Sequence, residues 1–408
     1  MINFSIKCQR TLVIYLMSEG VTKIFPTAST LAIVYMLTPE DFGKSILFVS
    51  IVSILSSLSS FGVASILVRD KGRVEDDEYK KIYSSSIFLV FISSFLVIGC
   101  YLFFVLFFGG YQGVFYTLYL FLSSLSLSIF SVFIKNLVVS GEKEMYFKIN
   151  FLKSSLLAVL TVLFVFIENS YWGRLYGVGF SSLILLVLVL RLIGGDFSRF
   201  SFFHLKVVVV YCTRMIPQLI SNLIKIGLDK VLISVYFTSD ELGFYGFYFT
   251  VCSAFMVVGQ SLNNSYLPTL LSAHRTGDLL IIKKEEKKII SMIFLFFIVF
   301  SSISFVFFKF FSPEKYVFDF YAYFFLSLSF LFNSLYLVYM KVFVCRDKML
   351  LLGGGNIISL AIYLFGIVFL SSFGVFLLYF IYSVSVFLFV FLYRLGVYSV
   401  WNGAGIKR

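Results

Sequence analysis

Five polar residues recur along one face of an otherwise apolar stretch at 207–236: Arg214, Gln218, Asn222, Lys225 and Asp229, spaced 4, 4, 3 and 4. A second stretch, 11–36, carries Tyr15, Glu19, Lys23, Thr27 and Thr30 at spacings 4, 4, 4 and 3. Either spacing keeps the side chains on a single stripe of an α-helix. Each stripe also contains a proline, Pro217 in one and Pro26 in the other, out of five in the chain. Proline removes a rung of the helical hydrogen-bond ladder, so both are candidate hinges. Lys23, Arg214 and Lys225 outweigh Glu19 and Asp229 by one positive charge. Cations held where water is scarce bind phosphate or diphosphate through charge-assisted hydrogen bonds. The amides of Gln218, Asn222, Gln260 and Asn264 are further candidate ligand contacts. Glu19 and Asp229 are candidates for ion coupling, since either could carry a proton or bind a cation once burial or a neighbour shifts its pKa. The alternative for Glu19 is mutual neutralisation with Lys23, four residues on.

Such stripes require helices inside a membrane. Hydrophobic residues make up 60% of the 408 residues and charged residues 13%, with a mean hydropathy of +0.98. A soluble domain has about 45–50% apolar and roughly 25% charged residues. The composition therefore excludes a cytosolic enzyme, a secreted disulfide scaffold and a disordered protein, and leaves a multi-spanning membrane protein. Runs of about 20 apolar residues, enough to span a bilayer, lie near 11–36, 45–68, 83–108, 114–139, 146–167, 174–193, 207–236, 243–271, 289–311, 317–344, 349–371 and 373–395. The expected fold is an all-α polytopic membrane protein of about twelve spans, because barrel strands would be about 10 residues long and strictly alternating. A charge at the bilayer centre costs about 2.5–3.5 kcal/mol on insertion scales, so deep charges tend to face a cavity and mark function. Lys135, Lys153, Lys230 and Lys341 lie near run ends, where a lysine stem can snorkel. Weaker polar stripes occur at Ser53, Ser56, Ser57 and Ser60, at Ser124, Ser128, Ser131 and Lys135, and at Ser253, Gln260 and Asn264.

Lysine and arginine are distributed unevenly between the connections. One side carries 22, the other carries Lys44, Arg174, Lys309 and Lys315, and seven lie inside runs. The positive-inside rule then places both termini in the cytoplasm and accounts for the net charge of +12 without a nucleic-acid partner. The five cysteines show no pairing at short spacing, and His204 and His274 lie far from any Cys/His cluster, so no metal site is expected. No Gly-x-x-x-x-Gly-Lys motif occurs. Neither ATP hydrolysis on this chain nor any cofactor is expected, and an ion or substrate gradient remains as the energy source. With no Ala-x-Ala-like cleavage site near the start, the first run is expected to remain in the mature chain.

The chain also repeats itself. Thr38-Pro39-Glu40-Asp41-Phe42-Gly43 after the first run is echoed by Thr238-Ser239-Asp240-Glu241-Leu242-Gly243 after the seventh, an offset of 200. Lys135-Asn136-Leu137-Val138, followed by Ser140-Gly141-Glu142-Lys143, is echoed by Lys341-Val342-Phe343-Val344, followed by Cys345-Arg346-Asp347-Lys348. Two echoes in the same order predict two lobes of six helices, at 1–205 and 206–408. Six is even, so the repeat is parallel about an axis along the membrane normal, with a central cavity between the lobes.

The segment Leu37-Thr38-Pro39-Glu40-Asp41-Phe42-Gly43, the serine-rich run ending in Phe61-Gly62-Val63-Ala64-Ser65 and Arg69, and the turn Gly141-Glu142-Lys143 resemble bacterial O-antigen flippases. Those proteins belong to the multidrug/oligosaccharidyl-lipid/polysaccharide exporter superfamily. The resemblance implies two lobes around a V-shaped cavity. It implies a substrate that is an undecaprenyl-diphosphate-linked sugar repeat unit, moved between leaflets of the bacterial inner membrane by alternating access. The diphosphate and sugars would cross in the cavity while the polyprenyl tail stays in membrane lipid. It further implies coupling to a proton or sodium gradient, and polysaccharide polymerase and chain-length regulator proteins as partners. The general idea of basic residues lining the cavity maps onto Lys23, Arg214 and Lys225.

Three other readings share some of these features. A multidrug or solute exporter of the same superfamily has the same architecture and relies on deep carboxylates, for which Glu19 is available. The loop Asp70-Lys71-Gly72-Arg73 is similar to the Asp-(Arg/Lys)-x-Gly-(Arg/Lys) loop of major-facilitator transporters, but is one residue short and lacks their long central loop. An O-antigen polymerase or membrane glycosyltransferase needs a sizeable extracytoplasmic loop, which this chain does not have, so a transporter rather than an enzyme is expected.

Overall fold

The structure, a computed structural model of the chain, describes residues 2–71, 73–108, 114–194, 199–216, 219, 227, 229–264, 279–311, 313–316, 319–345, 349–370 and 375–404. At 2–16, 19, 104–108, 114, 279–282, 341–345, 349–353 and some later positions only the backbone is described. Among the described residues the chain is helical apart from turns and one isolated bridge between Lys71 and Val74. The helices are α1 (Ile2–Met36), α2 (Pro39–Ser60), α3 (Val63–Asp70), α4 (Asp76–Phe108), α5 (Val114–Ser140), α6 (Lys143–Glu168) and α7 (Tyr171–Ile193). They continue with α8 (Phe202–Arg214), α9 (Asp229–Tyr236), α10 (Ser239–Ser253), α11 (Leu279–Phe311), α12 (Phe320–Cys345), α13 (Met349–Leu370) and α14 (Val375–Ala404).

Eight helices among the described residues are long and apolar enough to cross a bilayer. They answer to the runs expected at 45–68, 83–108, 114–139, 146–167, 174–193, 243–271, 289–311 and 317–344. The last two expected runs hold shorter apolar helices, Ile357–Gly366 and Phe380–Gly396. The first coincides with α1, and the run at 207–236 is described at α8 and α9, with most of its centre outside the described residues. The fold is that of an all-α polytopic membrane protein.

Local chemistry sets the helix ends. Thr38 caps α2 by accepting from Asp41 N, and Pro39 takes the first helical position, where its missing N–H costs nothing. The chain then turns through left-handed backbone at Phe61 (φ 47°) and Gly62 (φ 72°), which separates α2 from α3. Asn169 is left-handed at the end of α6, and Ser170 caps α7 by accepting from Trp172 N at 3.2 Å. The pair Gly173-x-x-x-Gly177 lets α7 lie directly on α6, since a side-chain carbon at either position would press on the backbone at Thr161, Phe164 or Val165. Small residues four apart permit this approach between membrane helices.

The chain packs as two compact units. One is Ala28–Gly243. Its core includes Phe48, Val52, Leu55, Ile98, Leu120, Leu175 and Val178. The other comprises Met1–Thr27 and Phe244–Arg408. Its core is aromatic: Phe247 lies 4.9 Å from Tyr316, and Tyr248 stacks on Phe308 at 4.9 Å. Part of the chain's large Phe and Tyr content thus fills helix contacts, where offset and edge-on rings add about 0.5–1.5 kcal/mol per pair beyond burial.

Candidate functional site

Within the unit 28–243, the two echoed turns meet. Thr38 Oγ accepts from Asp41 N at 3.2 Å. Thr238 Oγ accepts from Glu241 N at 3.3 Å, and the Glu241 carboxylate accepts back from Thr238 N at 2.9 Å. The second arrangement is a full capping box, and the first is its one-sided form. The acidic pairs at 40–41 and 240–241 therefore serve helix starts. Glu40 in addition pairs with Lys44 at 2.8 Å on the surface.

The glycines closing the two turns are in mutual contact. A side-chain carbon on Gly43 would collide with the Ser239 carbonyl and lie 3.1 Å from Gly243 N. One on Gly243 would collide with the Pro39 carbonyl. Residue 43 meets 239 and residue 243 meets 39, which is the reciprocity that a two-fold axis imposes on a self-complementary contact. Both α2 and α10 begin at this contact.

Arg174, counted in the sequence among loop cations, is buried at 8% exposure. Its guanidinium donates to Ser45 Oγ at 2.9 Å and lies 5.4 Å from the Phe42 ring centroid. It locks the start of α7 to the start of α2. Sequence reasoning placed it at the first residue of a run, and the signal available was a single arginine beside Gly173 in an apolar context.

The stripe expected at 207–236 is described only at its ends. Arg214 is exposed at the last residue of α8, while Asp229 is fully buried at the first residue of α9. Pro217, Gln218, Asn222 and Lys225 lie outside the described residues. Lys230 corrects the snorkelling expectation. It is 5% exposed, and its ammonium donates to both Asp229 carboxylate oxygens, at 3.1 and 3.2 Å. A buried charge persists only with such a partner. At Gly227 an added side-chain carbon would lie 2.9 Å from Ser50 O, so the chain entering this pair rests on α2.

The serine stripes are structural as well. Ser128 Oγ donates to Ser56 O at 3.0 Å, and Ser93 Oγ donates to Ser59 O. Ser53, Ser124 and Ser131 donate to carbonyls of their own helices. Hydroxyls in membrane helices are satisfied in these two ways. Asp70, at the start of the segment singled out at 70–73, is held by its neighbour. The Arg69 guanidinium donates to both Asp70 oxygens and stacks 4.2 Å from the Tyr211 ring centroid. Tyr79 OH donates to Asn136 Oδ1 at 2.8 Å, joining α4 to α5.

The remaining residues fall in the other unit. Lys23 is half-buried on α1, and Pro26 lies within α1, whose helix runs through it. The Glu19 side chain is not among those described. Lys23 is 13 residues from the end of α1 at Met36, a depth of about 20 Å at 1.5 Å per residue. Gln260 and Asn264 are half-buried on the helical segment 256–264. Among the described residues no three His, Cys, Asp or Glu side chains are grouped to hold a metal ion.

Comparison with known proteins places this architecture. The chain aligns over 96% of its length, and 95% of the other chain, with the MATE multidrug transporter DinF-BH at 16% identity and a TM-score of 0.68. A multidrug resistance MATE family transporter of the MOP superfamily, in an outward-facing conformation, matches over 98% and 96% at 13% identity and a TM-score of 0.66. The Vibrio cholerae MATE transporter VcmN, in its bent form, matches over 96% and 98% at 13% identity and a TM-score of 0.62. No curated protein matches the sequence. The fold is thus that of these MATE transporters. Residues 9–274 match the polysaccharide biosynthesis protein family, and the chain belongs to that family.

Proposed function

We propose that this protein moves a polyprenyl-diphosphate-linked oligosaccharide unit from the inner to the outer leaflet of a bacterial cytoplasmic membrane, for surface polysaccharide (O-antigen) biosynthesis. The observation that carries the reading is membership of a polysaccharide biosynthesis family in a chain with the fold of exporters. Such a fold supplies a route across the bilayer, and polysaccharide assembly requires a polar glycan to make that crossing. In this proposal Lys23, Arg214 and Lys225 hold the diphosphate, and Gln218, Asn222, Gln260 and Asn264 contact diphosphate or sugars. Pro26 and Pro217 allow the first and seventh spans to bend as access alternates between lobes 1–205 and 206–408. The half-buried Lys23, about 20 Å from the helix end, supports the role of deep cations. The passage of α1 from one compact unit to the other at Thr27–Ala28, beside Pro26, supports the hinge. A proton or sodium gradient drives the cycle through Glu19 or Asp229, both termini face the cytoplasm, and a polymerase and chain-length regulator act on the product.

The test is the fate of lipid-linked glycan in cells lacking the protein. Complete single units accumulating on the cytoplasmic leaflet support the proposal. Single units reaching the outer leaflet without extension identify a polymerase instead, and unchanged lipid-linked glycan moves the role to drug or solute export. In the same cells Lys23→Ala, Arg214→Ala and Lys225→Ala variants that insert normally should fail to restore export. Normal export by all three would remove the cationic site.

A further inference from the structure

Helix α11 opens with Leu279-Leu280-Ile281-Ile282, carries a charged segment, Lys283-Lys284-Glu285-Glu286-Lys287-Lys288, and continues without a break into an apolar span ending at Phe311. The charges are sorted by face. Lys283, Lys284, Lys287 and Lys288 are exposed, while Glu285 and Glu286 are half-buried. At 100° per residue the four lysines occupy a sector of about 140°, and the glutamates fall outside it.

The lysine sector has the same azimuth as the lipid-facing side of the span. Lys283, Lys287, Ser291, Phe294 and Ile298, spaced 4, 4, 3 and 4, form one stripe, and every member is exposed. Lys284, Lys288, Leu295 and Val299, spaced 4, 7 and 4, form the adjacent stripe and are likewise exposed. The opposite side carries Ile289 and Ile293, both buried, and it is the side on which Glu286 lies. Only 17% of this span's apolar window is buried within the protein, the lowest share of the eight spans, so its outer face is covered by lipid tails. Four ammonium groups therefore stand directly above acyl chains, within about 8 Å of one another along the axis. That is the level of the phosphate groups in the leaflet where the helix starts.

We infer that this lysine face is a docking surface for acidic phospholipid headgroups. Charge complementarity selects the occupant, and continuity with the lipid-facing stripe fixes its depth. A headgroup phosphate there accepts from Lys283 and Lys287 on one stripe or Lys284 and Lys288 on the next, while its acyl chains lie along Phe294, Leu295, Ile298 and Val299. A zwitterionic headgroup offers the same phosphate with its own cation attached and binds less well. Clusters of four or more basic residues next to a membrane helix attract acidic lipid in this way, each lysine strengthening the attraction by about fivefold.

The inference is tested on the full-length protein in neutral detergent, titrated with phosphatidylglycerol or phosphatidylcholine, with bound lipid counted by native mass spectrometry. The wild type should retain phosphatidylglycerol in preference to phosphatidylcholine. Replacement of Lys283, Lys284, Lys287 and Lys288 by Gln should weaken retention by about fivefold per lysine, and replacement of the four by Arg should preserve it. If the fourfold Gln variant unfolds, Lys284→Gln and Lys288→Gln singly carry the same test at about fivefold each. Equal retention of both lipids by the wild type, or unchanged phosphatidylglycerol retention in the Gln variants, overturns the inference.

Discussion

Replacing Gly43 or Gly243 by Ala tests the self-complementary contact between the two echoed turns. In Gly43→Ala the new methyl would collide with the Ser239 carbonyl, leaving the carbonyl carbon at 3.0 Å and Gly243 N at 3.1 Å. In Gly243→Ala it would collide with the Pro39 carbonyl, with Pro39 Cα at 3.3 Å. Both obstacles are backbone at a capped helix start, so relief requires the helices to separate. Overpacking of this kind costs typically about 1–3 kcal/mol, and an immovable neighbour places each variant toward the upper end. The two changes strain one contact. Once the first has spread the helices, the second costs less, and the double variant should be less destabilised than the sum of the singles. Unfolding of the detergent-solubilised protein, followed by heat or denaturant, measures all three. Gly99→Ala is the control, because a side chain there meets nothing within 4 Å. Singles as stable as that control would refute the close approach. Strictly additive singles would refute the shared contact and with it the local two-fold.

Three further outcomes follow from the buried polar residues. Arg174→Ala removes the donor to Ser45 and the cation beside Phe42 and should cost about 1–3 kcal/mol in the same assay. Arg174→Lys should not restore stability, since a lysine lacks the planar fork that bonds and stacks at once. Asp229→Asn takes the counter-charge from buried Lys230 and should cost about 3–5 kcal/mol, whereas Asp229→Asn combined with Lys230→Met should recover much of it; normal export by the recovered double variant would strike Asp229 from ion coupling. Tyr79→Phe loses the bond to Asn136 and should cost about 1 kcal/mol, read as a lower unfolding midpoint with unchanged insertion.

The all-α membrane fold was legible because hydropathy is a property of long segments. Runs of about 20 apolar residues admit one structural answer in a bilayer, whereas the echo at an offset of 200 pointed to a repeat and not to the contact between its two turns. Individual polar residues were harder. Arg174 stands in the sequence at the first residue of a run, where it counts as a loop cation, and Lys23 stands inside one. The first proves to be a buried tie to Ser45, because α2 happens to present a hydroxyl there. Lys230 was read as a snorkelling residue from its place near a run end, yet its neighbour Asp229 supplies a partner that keeps it inside. Serine spacing on α2 and α5 suggested a polar face, but a hydroxyl can satisfy itself on its own helix, and the period cannot distinguish that from a lining role.

The echo itself separates two kinds of residue. What recurs at an offset of 200 is the threonine cap, the acid three residues on and the glycine, all of which fix helix starts and close packing. The charged residues of the two polar stripes do not recur at that offset. Lys23 corresponds to Leu223, Arg214 to Ile14, Lys225 to Phe25 and Asp229 to Ser29. Matching residues are needed where both copies of the repeat build the same capped turn. The lipid-linked glycan proposed as substrate has a diphosphate at one end and neutral sugars at the other, so its contacts have no reason to obey the repeat. Residues that break the repeat in mid-membrane are therefore better placed to read the substrate than those that keep it. By this reasoning exchanging positions 23 and 223, as Lys23→Leu with Leu223→Lys, preserves the charge count and should still abolish export, as an export assay on normally inserted protein would show. Retained export after that exchange would mean that the deep cations act only through net charge.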